Sequence, residues 1–221
     1  MPGQLPRWIE YGAFILALSA GCINAIGLAG VSHQAISHLS GTATLAGAAL
    51  SHAELAVAWH FALILLAFLL GAALSGVLLS GRSVKLGRHY DSLLLIEAGL
   101  LIAAMVLMHQ DSYWGHYVAS FACGIQNALA TTYSGAVVRT THVTGVFTDL
   151  GLMLGARLRG EAFDRRKANL LLLIIAGFIS GGMIGTVLFG NFGFFAFVLP
   201  VTICCVLATS YRLFIKTSPS T

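Results

Sequence analysis

Long apolar runs, separated by short charged connections, constrain this chain more than any other feature of its sequence. Hydrophobic residues make up 57% of its 221 residues, whereas only 9% are charged. Because a soluble domain carries roughly a quarter charged residues, this chain could not cover the surface of a water-soluble globule. The sequence therefore predicts an all-α integral membrane protein, folded as one compact membrane domain.

Six of the apolar runs approach or reach the roughly 20 residues that cross a bilayer as an α-helix. They cover approximately residues 9–30, 56–80, 91–109, 112–133, 168–189 and 192–215. Two further apolar segments, about 38–51 and 142–156, are too short for a comfortable crossing. We expect these two to be re-entrant or broken half-helices that enter and leave the membrane on the same side.

The positions of the basic residues support six crossings. With this topology, the connections on one side of the membrane hold every Lys and Arg except Arg139. Since basic connections remain in the cytoplasm, both termini are predicted to be cytoplasmic, and the protein is expected to be a multi-pass protein of the inner (plasma) membrane. If both short segments crossed fully, the basic connection at 80–90 would lie outside. The net charge of +4 thus reports topology, and no nucleic-acid partner is expected.

The two short segments carry the same phrase. Residues 37–47 read SHLSGTATLAG, and residues 141–151 read THVTGVFTDLG. At an offset of 104 residues, identical residues coincide in four pairs: His38 and His142, Gly41 and Gly145, Thr44 and Thr148, and Gly47 and Gly151. The neighbouring spans repeat at offsets of 103 and 110 residues. Because the first apolar run takes part in this repeat, we expect it to belong to the folded protein and not to a cleaved signal peptide.

The repeat also predicts how the two halves lie in the membrane. Residues 1–110 form a first membrane repeat and residues 111–221 a second, each with three crossings and one short segment. Because three is odd, the second repeat must be inverted relative to the first. Such inverted repeats are common in secondary transporters, whose sites lie near the midplane where broken helices meet. Ladders of small residues in both halves indicate close helix packing, and exposed ones could support a homodimer.

Polar residues at the starts of the short segments are candidates for binding a solute. Ser40 and Thr144 are expected to cap two half-helices, whose N–H groups and positive dipole ends would point at the interior. Such a site suits an anion, a carboxylate or a polarised neutral solute. An alternative is that the hydroxyls and the buried amides only satisfy the local backbone. The substrate-binding candidates are Asn24, Ser40, Thr42, Thr44, Gln126, Asn127, Arg139, Thr144 and Thr148.

Titratable groups in the short segments are candidates for proton or ion coupling: His38, His142 and Asp149. A charge inside the membrane is costly and normally paired, so we expect Asp149 to pair with Arg139 or His142. Glu97 is expected near the cytoplasmic interface, beside the basic connection at 80–90. No Cys or His spacing is typical of a metal site, so neither a metal nor a cofactor is expected.

Motifs of intramembrane enzymes do not occur in the sequence. It contains no HExxH, no GxSxG and no paired aspartates at membrane depth, so an enzyme is not expected. The pattern predicts a small secondary transporter. A channel for a small solute or anion and a structural or regulatory membrane protein remain alternatives. The expected partners are membrane lipid and a small or anionic solute.

The most specific phrase of the sequence runs from Gln126 and Asn127 to Asp149. GIQNALATTYSGAVVRTTHVTGVFTDLG, with GCINAIGLAG and SHLSGTATLAG in the first half, resembles the YoaK-like bacterial membrane proteins, grouped as DUF1275. The first half departs from the family pattern at Asn24, where Asp is frequent, and at Ala43, where Asn is frequent. The resemblance covers nearly the whole chain. It implies a multi-pass membrane protein and no particular substrate.

Overall fold

The structure is a computed structural model that describes residues 7–30, 34–79, 89–133 and 139–217, and these ranges fold into helices joined by turns. A short 3-10 helix, Gly193–Phe197, connects the last two α-helices. The α-helices are, in chain order, α1 (Arg7–Ala29), α2 (Leu39–Ser51), α3 (Leu55–Leu78), α4 (Tyr90–His109), α5 (Trp114–Tyr133), α6 (Val143–Leu158), α7 (Arg165–Phe192) and α8 (Val198–Thr217).

Several of these helices are suited to a membrane. Among the described residues, four stretches are long and apolar enough to cross one: Glu10–Ala29, Leu55–Leu78, Tyr90–His109 and Arg165–Leu213. The last stretch contains α7 and most of α8. α5 has 20 residues but carries two amides, and it is not among these stretches. The chain is therefore a helical membrane protein, and the count of six crossings stays a prediction.

The two repeated segments form short helices, close to the predicted bounds. α2 has 13 residues and α6 has 16, which correspond to about 20 Å and 24 Å at 1.5 Å per residue. Both are shorter than the roughly 30 Å hydrocarbon core of a bilayer. The predicted caps were wrong, because the N-cap residues are His38 and His142. Ser40 and Thr144 lie two residues after these caps, inside the first turn of each helix.

Two helix interfaces are built in the same way. α1 packs along α7, and α5 packs along α3. A Cβ added at Gly21 would overlap the carbonyl oxygen of Phe178, and a Cβ added at Gly124 would overlap that of Phe68. The second pair of residues is related to the first by the sequence offsets of 103 and 110. The repeat therefore appears in the structure as two equivalent helix contacts.

Glycines of α7 and α3 make the same kind of close contact with α1 and α5. A Cβ at Gly181 would overlap the carbonyl oxygen of Leu18 in α1, and a Cβ at Gly71 would overlap that of Phe121 in α5. The prediction that the small-residue ladders serve close packing is confirmed at these positions. In the short helices, by contrast, the glycines Gly47, Gly151 and Gly155 face open space. A homodimer through exposed small residues stays a prediction.

Buried apolar side chains form two clusters that follow each other along the same helices. In α4, Leu93 and Leu94 belong to the first cluster, and Leu101 belongs to the second. α1 and α5 contribute to both clusters in the same manner. Between the two clusters, α1 contains the buried Ser19 and α4 contains the buried Glu97.

Candidate functional site

The starts of α2 and α6 meet at one cavity. Its volume is about 740 Å³, within the roughly 300–1,000 Å³ that is usual for small-molecule sites. Residues 38–40 line it from α2, and residues 142–144 line it from α6. These two sets are repeat partners, so the cavity brings the repeated phrases together. Both helices are long enough for their N-terminal N–H groups and dipoles to act on a solute there.

Side chains from the long helices complete the lining. α1 contributes Asn24, and α5 contributes its repeat partner Asn127. Phe68 of α3 and Phe178 of α7 form a second repeat-related pair. Arg139 reaches the cavity from the segment before α6. Each half of the chain thus supplies one amide and one aromatic ring to the same space.

The histidines of the repeated phrase fold over the first turn of their own helices. A Cβ added at Gly41 would lie 2.8 Å from Cδ2 of His38, and one added at Gly145 would overlap the ring of His142. Glycine three residues after each histidine therefore leaves the space that the imidazole occupies. This packing explains why the phrase repeats histidine and glycine together at the cavity.

Three of the predicted hydroxyls bond to their own helix. Thr44 donates to the carbonyl oxygen of Ser40 at 2.9 Å, and its repeat partner Thr148 donates to that of Thr144 at 3.0 Å. Thr42, which is buried, donates to the carbonyl oxygen of His38 at 3.2 Å. None of these three threonines is among the residues that line the cavity. Their hydroxyls stabilise the local backbone.

The cavity collects some of the predicted site residues and leaves others out. Those that line it are Asn24, Ser40, Asn127, Arg139, Thr144, His38 and His142. Those outside its lining are Thr42, Thr44, Gln126, Thr148 and Asp149. Gln126 is fully buried next to Asn127, and its amide has no hydrogen-bond partner among the described residues.

The two repeat-related asparagines are used differently. The Oδ1 atom of Asn24 accepts hydrogen bonds from the backbone N–H of Ser37 at 2.9 Å and from its hydroxyl at 3.2 Å. Asn24 therefore fixes the segment that leads into α2. The Oδ1 atom of Asn127 is buried and has no partner among the described residues. Asn127 is thus the amide that is available to a solute.

This difference predicts opposite effects of the same substitution. Asn24→Ala should lower the free energy of unfolding by about 1–3 kcal/mol, because the buried N–H of Ser37 loses its acceptor. Asn127→Ala should lower it by less than about 1 kcal/mol, because its side-chain oxygen has no hydrogen-bond partner to lose among the described residues. Denaturant unfolding of the two variants in detergent would check this. Equal losses for both would contradict the assignment.

The carboxylate predicted to lie at the site is held elsewhere. Asp149 pairs with Lys167 of α7, with 3.5 Å between Nζ and Oδ2. The predicted pairing with Arg139 or His142 was therefore wrong. The reason is distance along the helix: Asp149 follows the N-cap by seven residues, about 10 Å along α6. Its role in proton coupling stays a prediction.

Glu97 is fully buried inside the protein, because its face of α4 is turned toward α5 and α8, with which α4 packs. Its expected position near the cytoplasmic interface stays a prediction. The basic connection at 80–88, with which it was expected to pair, lies outside the described residues. The only signal in the sequence was a carboxylate inside an apolar run.

The electrostatic character of the cavity is positive. Arg139 lines it, and no carboxylate occurs among the described residues of its lining. Two helix N-termini add partial positive charge at the same place. Within the described residues, no group of three or more His, Cys, Asp or Glu side chains could hold a metal ion. The arrangement therefore favours an anionic group by hydrogen bonding and charge.

The fold and cavity define a helical membrane protein with an internal repeat and a polar, positively charged cavity between two short helices. The model of the family DUF1275, described as a protein of unknown function, matches residues 12–210. The chain therefore belongs to this family, as its resemblance to the YoaK-like proteins indicated. No curated protein and no solved structure matches the chain.

Proposed function

We propose that this protein is a small secondary transporter that binds a small anionic solute, such as a carboxylate, between the starts of α2 and α6. The observation that carries the proposal is the convergence of two helix N-termini and Arg139 on one cavity without a lining carboxylate in the described residues. Half-helix N-termini that point at an anionic substrate group are a recurring device of transporters.

The proposal includes the predicted arrangement in the membrane. The chain crosses six times, as two inverted repeats of three spans, with both termini in the cytoplasm of a cell whose inner membrane it occupies. The cavity then lies near the midplane. The equivalent contacts of α1 with α7 and of α5 with α3 support such a pseudo-symmetric pairing.

Each group that lines the cavity has a role in the proposed binding and transport of the solute. The N–H groups in the first turns of α2 and α6 and the guanidinium of Arg139 donate to the anionic group of the solute, and Asn127 fixes its polar remainder. The helix pairs α1–α7 and α3–α5 move as bodies, because backbone contacts at their glycines hold each pair together. Rocking of one pair against the other would expose the cavity to each side in turn.

A ligand-stabilisation screen tests the proposed function. Purified protein is heated in detergent with small monocarboxylates, dicarboxylates, inorganic anions and neutral analogues of the same size. A solute that binds the folded state at 100 times its Kd should stabilise it by about 2.7 kcal/mol. We expect stabilisation by one class of anion and none by its neutral analogues.

Flux measurements in liposomes then separate the two modes of transport. A transporter should saturate with solute and show exchange of labelled for unlabelled solute across the membrane. Single-channel currents, or flux that never saturates, would favour a channel. Failure of every anion both to stabilise the protein and to cross the membrane would overturn the proposal.

A further inference from the structure

A layer of buried polar side chains lies outside the cavity, between the two apolar clusters. Ser19 of α1, Glu97 of α4 and Gln126 of α5 are each fully buried. Ser19 and Glu97 lie between residues of the first cluster and residues of the second along their helices, and Gln126 directly follows Ile125, the residue of α5 at which the first cluster begins. Their side-chain oxygen and nitrogen atoms have no hydrogen-bond partner among the described residues. Since buried polar groups are almost always satisfied, this layer requires a functional explanation.

The carboxyl of Glu97 is the critical member of the layer. An ionised carboxylate that is buried without a partner is among the most costly groups in a protein, and more so at membrane depth. The titratable groups around it are the thiols of Cys123 in α5 and Cys204 in α8 and, two turns away on its own helix, the phenol of Tyr90. The 3-10 helix, which also packs against α4, carries only glycine, alanine and phenylalanine.

None of these groups supplies a positive charge. A thiol is a weak hydrogen-bond donor, and the Cys204 thiol faces the carboxyl without a well-formed hydrogen bond. In the conformation of this structure, Glu97 is therefore held as the neutral acid. Releasing its proton requires a conformation in which water or a polar group reaches the carboxylate.

α5 connects this carboxyl to the cavity. Cys123, which faces Glu97, and Asn127, which lines the cavity, are four residues apart and lie on one side of α5. The separation along the helix is about 6 Å, or one turn. Gln126 lies in the same interval with both of its amide atoms unpartnered in the described part of the chain. Along α5, the cavity and the side of the helix that faces the carboxyl are therefore about one turn apart, with the Gln126 amide between them in the chain.

We propose that Glu97 is a proton-binding site, which exchanges its proton with water in the cavity through the amides of Gln126 and Asn127. When water enters from the cavity past these two amides, the carboxyl O–H gives its proton to that water, which becomes hydronium and leaves a carboxylate, and the reverse step restores the acid. In the transporter proposed above, this carboxyl couples proton movement to the solute. That coupling rests on the proposed function, whereas the proton site does not.

Asp149 provides the matched comparison. Its side chain is 48% exposed and forms an ion pair with Lys167, so both water and a cation reach this carboxylate in the conformation of this structure. Proton coupling needs a carboxyl whose charge can change when its burial changes. Glu97 is fully buried and meets this requirement, whereas the half-exposed Asp149 does not.

Infrared spectroscopy of the protein in lipid, across a pH titration, tests the proton site directly. At neutral pH we expect a C=O stretching band of a protonated carboxyl in an apolar environment. Glu97→Gln should abolish the band, and Asp149→Asn should retain it in full. Gln126→Leu should retain the band and slow its shift after transfer to deuterated buffer, because the route for exchange is interrupted.

The outcomes are decisive even if a variant fails to fold, because the first observation is made on the wild-type protein. Absence of the band from wild-type protein at neutral pH, or its persistence in folded Glu97→Gln, overturns the proposal. If the band is present but no anion is transported, the proton site stands and the transporter proposal fails. If solute uptake is driven by a proton gradient and Glu97→Gln leaves this dependence unchanged, the coupling role is overturned.

Discussion

Gly71→Ala and Gly181→Ala are each expected to lower the free energy of unfolding by about 1–3 kcal/mol, the usual cost of overpacking. Each added Cβ would overlap a backbone carbonyl oxygen of the opposite helix, that of Phe121 and that of Leu18 respectively. A flexible side chain could move aside, but a helix backbone cannot move without separating the whole interface. Since membrane helices associate through close packing, this separation is the main loss.

Controls on the same two helices isolate the effect. Gly76 of α3 and Gly190 of α7 have open space where a Cβ would be added. Alanine there should be neutral or stabilising by up to about 1 kcal/mol, because glycine is the poorer helix former. Thermal or denaturant unfolding in detergent would compare the four variants. If Gly71→Ala and Gly76→Ala were equally stable, the contact of α3 with α5 would not be as close as the structure places it.

The equivalence of these interfaces was foreseeable from the sequence, and the reason is the repeat. Gly71 and Gly181 occupy matching positions, so a packing rule for one half applies to the other. The lengths of α2 and α6 were predictable for a related reason: an apolar segment of 13 to 16 residues is too short to span the hydrocarbon core. Internal repeats and the lengths of apolar segments can be read directly from a sequence.

The orientation of single residues on apolar helices was not predictable. α4 is apolar on every side, so its periodicity does not reveal which face meets α5 and α8. Glu97 was therefore placed by its distance from the start of the span, which suggested an interface. Its burial depends on two helices that follow α4 in the chain, one of them about a hundred residues later.

The site was predictable in part for the same reasons. Asn127, Arg139 and the two histidines were identified because they belong to the repeated phrases or adjoin them, and they do line the cavity. Asp149 shares a helix face with His142 by periodicity, since seven residues are nearly two turns. Periodicity predicts which face of the helix a residue lies on, but not how far along the helix its partners are. Two turns place Asp149 away from the cavity and beside Lys167.

Arg139→Gln is expected to weaken binding of the anion found in the screen by about 10–100-fold. A hydrogen bond to a charged group contributes about 1.5–3 kcal/mol, and each 1.4 kcal/mol corresponds to about a factor of ten in Kd. Arg139→Lys should lose less, because it keeps the charge but not the planar pair of donors. Titration calorimetry of wild type and both variants would measure the three constants.

Arg157→Gln is the matched control, because it removes the same charge from the opposite end of α6, where the side chain is exposed and outside the cavity lining. Its Kd should equal that of wild type at physiological ionic strength, since exposed charges beyond a Debye length of about 8 Å are largely screened. Equal weakening in both variants would indicate a general effect of net charge. If binding is unchanged in Arg139→Gln, the two helix N-termini are the source of the anion affinity. Substitutions that shorten α2 or α6 at their starts should then weaken binding more than Arg139→Gln does.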